Sequence, residues 1–312
     1  MSKKPVRPCL ILHKKSCNRP EVKAAVRQVR SDGIDLEVSI PWKAKDLRRF
    51  VRKSLKRGVD RFVAGGGDGT LNDVLNAILK CKNGAQASIG VLPLGTANDF
   101  ARGIGIDTKD LASALRLACM GRPTPIDVGR MNGRYFINVA SGGFGAEVTA
   151  TTPKELKRKL GGGAYALMGL VKAANLQPIH ARVLLPDGGV VEGEILVMAV
   201  GNSRYAGGGF EVAPKADLKD GLLDLAALGN PSLAKLGQLI EEIADPASEG
   251  RQTFFYRQLE RFVLETDRPL HINLDGEPFI DKRFEFDVLN CGVRVVLGGS
   301  TVGAAAQVHA LQ

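Results

Sequence analysis

Asp68 stands inside a run of glycines. From Arg61 to Thr70 the chain reads RFVAGGGDGT, an apolar stretch that breaks into three glycines, an acid, another glycine and a hydroxyl. Glycine permits positive φ and lets amide N–H groups approach a ligand with no Cβ in the way. The residues that follow place Leu71, Val74, Leu75, Ile78 and Leu79 at three- and four-residue spacing. That spacing predicts a helix beginning near Thr70, its N-terminus aimed at the same phosphates. An acid among phosphates makes chemical sense when a divalent cation stands between them. A lone GxG would be read as an ordinary strand-to-helix turn; the aspartate inside the run argues for a phosphate site built from backbone.

A second crest of the same kind follows. Ser88 to Arg102, SIGVLPLGTANDFAR, is an apolar strand ending in Gly95 and Thr96, then Asn98 and Asp99, before a helical pattern. Asp68 and Asp99 are hard oxygen donors at neighbouring strand ends, suited to Mg²⁺ through one or two carboxylates with retained waters. A third acidic motif, NLDGEP, sets Asp275 and Glu277 two residues apart. A strand continuing through Gly276 would project both to one side, whereas a turn would separate them. Read without context, the motif is a DGE hairpin turn.

Other nucleotide and hydrolase patterns are missing. The chain has no GxxxxGK[ST], its nearest approach to GxGxxG lacks the third glycine, and there is no HExxH, CxxC or GxSxG. His13, His180, His271 and His309 are scattered, which weakens any zinc reading.

The elements that must position these acids follow from the periodicity. Up to about Pro125, strands near Cys9–Leu12, Asp35–Ile40, Asp60–Ala64 and Ser88–Leu92 alternate with helices over Pro20–Ser31, Lys45–Gly58 and Thr70–Lys80, then helices to Met120. Such alternation predicts a doubly wound parallel α/β sheet, whose ligands bind beyond the carboxyl ends of the strands, where both crests fall. After Ile126 the pattern turns to period-two runs with polar turns, including PDGG, which predicts an antiparallel β-sandwich. Those runs are RYFINVA, HARVLLP, GGVVEGEILVMAVGN, GLLDLAAL, ERFVLETD, PLHINLDGE, RFEFDVL and GVRVVLGG, with helical inserts over Pro153–Leu176 and Pro231–Ala244. We expect a nucleotide-binding α/β domain over residues 1–130 and a β-sandwich domain over 131–300.

Length and composition agree with two cores: 312 residues, of which 44% are hydrophobic. No run of eighteen apolar residues occurs and the N-terminal apolar stretch is too short for a signal-peptide core, so a cytoplasmic protein without a membrane span is expected. Five cysteines without metal spacing fit reduced thiols. The net charge of +10 implies an acidic partner, and with aromatics at only 5% the stacking surface of a nucleic-acid binder is poorly supplied. Contact with an anionic membrane surface gains by comparison.

Two segments concentrate the positive charge. In WKAKDLRRFVRKSLKRG, Arg48, Arg52 and Lys56 form one i, i+4 row, and Arg49, Lys53 and Arg57 form the next. This basic amphipathic helix reads either as the solvated face of a crossover helix or as a lipid-facing one. In TPKELKRKLGGGAYALMGLVKAANL, Lys154, Lys157, Arg158 and Lys159 precede a glycine hinge and an apolar helix, an arrangement that suits peripheral contact with an anionic bilayer or packing between domains.

GGGDGTLND followed by LPLGTANDFAR resembles the diacylglycerol kinase catalytic superfamily, which includes sphingosine kinases, and within it the bacterial YegS-type lipid kinases. The resemblance continues through Ile137–Val148, Ala206–Leu225 and Asn273–Pro278, and so covers nearly the whole chain. It implies an N-terminal α/β domain, a C-terminal β-sandwich with an active site in the cleft between them, and final residues (about 300–312) that return to the first domain. It implies ATP-dependent phosphorylation of a lipid hydroxyl, the acceptor being a glycerol-based lipid such as phosphatidylglycerol or diacylglycerol, at the inner face of a membrane. Nucleotide contacts are expected from Gly66, Gly67, Asp68, Gly69, Thr70, Leu71, Asn72, Asp73 and Thr96. Where the family carries a threonine after the second strand this chain has Pro41, with Ser39 nearby. Asp127 in TPIDVGR resembles the third acid of an aspartate, water and Mg²⁺ network with Asp68 and Asp99, although aspartate there also suits a turn. A second, structural Mg²⁺, with Ca²⁺ as the alternative ion, is implied at Asp217, Asp220 and the Leu222 carbonyl. The proton acceptor is implied in NLDGEP: Glu277 aligns with it, and Asp275 stays as the other candidate. NAD kinases share GGDGT, but LPLGTANDFAR and the lack of an NAPTSTAY-like run argue against them. A nucleotide-responsive membrane binder without turnover is the non-enzymatic alternative. Oligomeric state is not written in these residues.

Overall fold

The computed structural model describes residues 6–41, 44–143, 177–229 and 254–299. These divide into two compact units. The first takes the described residues of Met1–Val128, Gly207–Gly209 and Asn290–Gln312; the second takes those of Gly129–Ala206 and Phe210–Leu289.

In the first unit β1 (Pro8–Leu12), α1 (Pro20–Ser31), β2 (Glu37–Ser39), α2 (Ala44–Lys56), β3 (Arg61–Gly66), α3 (Asp68–Leu79) and β4 (Ser88–Pro93) alternate. The short α4 (Asp99–Gly103) and α5 (Leu111–Met120) follow, and β5 (Pro123–Met131) leads out. The strands pair in parallel in the order β4-β3-β1-β2. Every residue of β1, β3 and β4 is buried, the pattern of strands covered on both faces by crossover helices. α1 starts on Pro20, whose fixed φ and missing N–H suit a first turn, and it buries Val22, Ala25 and Val29 on one stripe. Buried Arg61 ties β3 to the end of α5: its guanidinium donates to Ser88 Oγ (2.7 Å) and to the carbonyls of Ala118 (2.8 Å) and Cys119 (3.1 Å). A cation there meets the negative end of the helix dipole.

The second unit is antiparallel. β6 (Arg134–Phe136) folds back on β5 through Asn132–Gly133, both at positive φ, as a two-residue hairpin requires. β7 (Val139–Gly142), β10 (Val197–Gly201), β13 (Leu223–Leu228), β14 (Phe254–Leu259), β15 (Arg261–Leu274) and β16 (Glu277–Val296) assemble in the order β14-β13-β10-β7-β15-β16. β8 (Ile179–Leu184) joins β15 and carries β9 (Val190–Ile195), the PDGG turn linking the two. β11 (Tyr205–Ala206) and β12 (Phe210–Glu211) form a small separate hairpin. The core gathers Phe136, Phe262, Phe284, Phe286, Ile272 and Leu274 among others, with Phe262 stacked on Phe286 at 4.8 Å.

The fold class is the one expected, with differences of detail. α3 begins at Asp68, because Gly67 is the extended N-cap. ERFVLETD and PLHINLDGE are one strand, β15, interrupted by a register shift between Glu265 and Leu270 that breaks the period of two. RFEFDVL and GVRVVLGG likewise merge in β16, whose last residues pair in parallel with β4 inside the first unit (Arg294↔Ser88). GGVVEGEILVMAVGN splits into β9 and β10, and β14 was not anticipated. Both helical inserts, the Lys154–Lys159 cluster and residues 300–312 lie outside the described residues.

Candidate functional site

β3 ends at Gly66 and β4 at Pro93, and the two crests meet through glycine. A Cβ on Gly66 would sit 2.2 Å from Thr70 Oγ1, and one on Gly95 would sit 2.5 Å from the Gly67 Cα. The second clash is with backbone, which has nowhere to go. Asn98, at φ 52°, locks the second crest: its Oδ1 accepts the Gly95 N–H and its Nδ2 donates to the Gly95 carbonyl, both at 2.9 Å. The first turn of α3 thus presents Gly69 and Thr70 half exposed beside the close-packed backbone of Gly67 and Gly95.

The acids of the two crests are bound to each other. Asp68 Oδ2 accepts the Asp99 N–H (3.2 Å) and Oδ1 accepts the Phe100 N–H (3.1 Å). Asp99 is 3% exposed; its Oδ2 accepts the Gly208 N–H at 2.9 Å, while Oδ1 has no hydrogen-bond partner. Burial pushes the Asp99 carboxyl up from its ordinary range and the Asp68 charge adds to this, against the pull of the Gly208 and Gly209 amides and of Arg102. A buried carboxylate oxygen without a donor, next to a second carboxylate, is the arrangement a hard divalent cation satisfies. The residues present therefore fit Mg²⁺.

The other expected residues fall as follows. Leu71 is buried in the core, so its side chain is turned away from solvent. Asn72 is buried and its Oδ1 accepts from Asn76 at 2.7 Å, Asp73 is half exposed, and Thr96 is exposed at the second crest. Asp127 lies in the middle of β5, where its Oδ1 accepts the Cys291 N–H (2.7 Å), so it is neither a turn residue nor a local cap. Among the described residues no three His, Cys, Asp or Glu side chains close around one point.

In the second unit NLDGEP is a turn. Asp275 (φ 50°) and Gly276 (φ 100°) are the central residues of the β15–β16 hairpin, with Leu274 paired to Glu277. The two acids are separated. Asp275 is buried, and its carboxylate accepts the N–H groups of Ile137 (2.7 Å), Asn138 (3.1 Å) and Val139 (2.9 Å). Glu277 is exposed at the start of β16.

The loop expected to hold the structural ion turns on its own acids: Asp217 Oδ1 accepts the Lys219 N–H (3.1 Å) and Asp220 Oδ1 the Leu222 N–H (2.9 Å). Beneath it Asp224, which sequence reasoning passed over as one more position of the LLDL strand, is fully buried. Burial first of all pushes Asp224 up to about 6, and burial together with Asp224 pushes the Tyr256 hydroxyl up from its ordinary range. The Gly208 contact to Asp99 was likewise unforeseen, the two being 109 positions apart.

A diacylglycerol kinase catalytic domain matches residues 7–131, and a YegS C-terminal NAD kinase beta sandwich-like domain matches residues 138–296. "Probable lipid kinase YegS-like" proteins of Chromohalobacter salexigens and Pseudomonas aeruginosa are 42% identical over 276 residues and 40% identical over 291 residues. The first match covers 88% of each chain, the second 92% of this chain and 93% of the relative. A crystal structure of a diacylglycerol kinase from Bacillus anthracis superposes with a TM-score of 0.72 at 19% identity, covering 96% of this chain and 99% of that one.

Proposed function

The chain belongs to the diacylglycerol kinase catalytic family, among its YegS-like lipid kinases, and from that premise we propose that it transfers the γ-phosphoryl group of ATP to a hydroxyl of a glycerol-based lipid, phosphatidylglycerol or diacylglycerol. The observation that carries the reading is the Asp68–Asp99 pair with its unpartnered oxygen, set against two glycine crests.

Amides of Gly66, Gly67 and Gly69 and the Thr70 hydroxyl receive the phosphates at the start of α3, the Thr70 N–H being given to the Gly67 carbonyl, with help from the helix dipole, and Asn72, Asp73 and Thr96 border them. Leu71 is buried and its N–H is given to the Gly67 carbonyl, so it fixes the first turn of α3 rather than touching the nucleotide. Asp68 and Asp99 would hold Mg²⁺, with Asp127 acting through water, and the ion supplies charge that neutralises the phosphate oxygens. Phosphoryl transfer then requires mainly alignment. Glu277 takes the acceptor hydroxyl proton as that oxygen bonds to the γ-phosphorus and the bond to the ADP oxygen breaks. Asp275 builds the turn, because its carboxylate is already engaged by three amides. The Asp217–Leu222 loop would hold the second, structural divalent ion through its remaining carboxylate oxygens and the Leu222 carbonyl.

A lipid acceptor requires approach to a bilayer. Arg48, Arg49, Arg52, Lys53, Lys56 and Arg57 are all exposed on or just beyond α2, and Arg57 pairs with Glu37. Each cation near an anionic leaflet contributes about 1 kcal/mol, which supports peripheral binding at an anionic cytoplasmic face. Among the described residues no helix is long and apolar enough to cross a membrane. The reading is tested by offering ATP and Mg²⁺ with phosphatidylglycerol or diacylglycerol in mixed micelles, in parallel with NAD⁺. Phosphorylated lipid is expected, and NAD⁺ as the better acceptor would reverse the assignment.

A further inference from the structure

Asp224 on β13 is fully buried, yet only one of its oxygens is satisfied. Oδ1 accepts the hydroxyl of Tyr256 on the neighbouring β14; Oδ2 has no hydrogen-bond donor. Such a carboxylate is unfavourable in a β-sheet core unless a positive partner is supplied. The nearby cation, Arg204, is exposed and donates its Nε–H to the Ala216 carbonyl at 3.0 Å. Asp220 adds like charge.

The neighbours of Asp224 all reach one loop. The Tyr256 hydroxyl oxygen accepts the Lys215 N–H at 3.1 Å. Gln258, two residues along β14 and directly opposite Asp224, donates to the Lys215 carbonyl and to Asp220 Oδ2, both at 3.4 Å. Side chains from β14 therefore hold Lys215–Leu222 at its beginning and near its end, and Tyr256 joins that loop to Asp224.

We propose that Asp224 is the buried counter-charge of a divalent-cation site in this loop, its Oδ2 facing the ion together with Asp220, while Tyr256 and Gln258 position the loop. The proposal rests on the reading of Lys215–Leu222 as a cation loop and adds to it a residue outside the loop. Hard oxygens from carboxylates and loop carbonyls suit Ca²⁺ or Mg²⁺. Without the ion Asp224 is a destabilising charge; with it the strand and the loop are tied together.

The full-length chain carrying Asp99→Asn, which silences the other acid pair, is titrated with Ca²⁺ by calorimetry. Adding Asp224→Asn, an isosteric change, should weaken Ca²⁺ binding roughly 10–100-fold, while the unfolding midpoint in EDTA stays level or rises. Unchanged affinity overturns the proposal. Tb³⁺ serves as a second probe, since its emission is excited through a nearby tyrosine: Tyr256→Phe should dim bound Tb³⁺, and undimmed emission overturns the proposal even if the asparagine variant does not fold. If the Asp99→Asn chain binds neither ion, the cation-loop reading and this proposal both fail, whereas lipid phosphorylation by the wild type is judged separately.

Discussion

Asp68 and Asp99 are the first residues of the helices that follow two adjacent parallel strands, and the carboxylate of the first accepts the backbone N–H of the second at 3.2 Å. Asp68 thereby fixes where the Asp99 side chain begins, and the Gly208 amide fixes one of its two oxygens. The other is left free in a buried setting. This sets stability against function. Asp99→Asn should raise the unfolding midpoint in EDTA, because a buried charge is removed, and should lower kcat at least about 100-fold, as expected when charge stabilisation at a phosphoryl group is lost. Asp68→Asn should instead lose about 1 kcal/mol of stability with its bonds to Asp99 and Phe100, together with activity. Calorimetry and steady-state kinetics on the two variants check the opposite signs.

Gly95 tests the contact between the crests. Alanine there places a methyl 2.5 Å from the Gly67 Cα, so Gly95→Ala should cost about 1–3 kcal/mol and raise the KM for ATP, because the backbone must part at the proposed phosphate site. An unchanged melting temperature together with an unchanged KM would contradict the proposed close-packed crest.

The two acids of the β15–β16 turn should separate cleanly. Asp275→Asn weakens a carboxylate held by three amides and should cost about 2 kcal/mol or more. Glu277→Gln should melt as the wild type does but lose about 100-fold or more in kcat, the contribution of a general base. Denaturant titration with kinetics on both proteins distinguishes the roles.

Thiol chemistry offers a check on the first unit. Burial pushes Cys9 up to about 12 and Cys119 up to about 11. Both remain protonated at pH 8, and since only the thiolate attacks, neither should react with a disulfide reagent in the folded chain. Cys291 is exposed and should react first. Full modification of Cys9 and Cys119 should appear only on unfolding; rapid labelling of either in the folded protein would contradict the packing of β1 and α5.

What could be read from residues alone was what is local. The apolar run into Gly65–Gly67 and the stripe Leu71, Val74, Leu75, Ile78 announce β3, its crest and α3, because strand end, turn and helix start lie within a few residues. Asp99 could be named as a candidate for the same reason. The partners that give these acids their state are remote: Gly208 is 109 positions from Asp99, and Cys291 is 164 from Asp127. Asp275 and Glu277 stayed ambiguous because DGE suits a strand or a turn, and only the amides of Ile137–Val139, far upstream, draw Asp275 inward. Asp224 was silent because an acid at one position of an alternating strand normally faces water; here Tyr256 covers it.

The central claim, ATP-dependent phosphorylation of a lipid hydroxyl with Glu277 as proton acceptor, is tested most directly with ATP labelled at the γ-phosphate. Wild type and Glu277→Gln are incubated side by side with Mg²⁺ and phosphatidylglycerol or diacylglycerol in mixed micelles, and the lipid is extracted and counted. The account predicts label in the lipid with the wild type and at most about one hundredth as much with the equally folded variant. No labelled lipid from the wild type across both acceptors, or equal labelling by the two proteins, would contradict it.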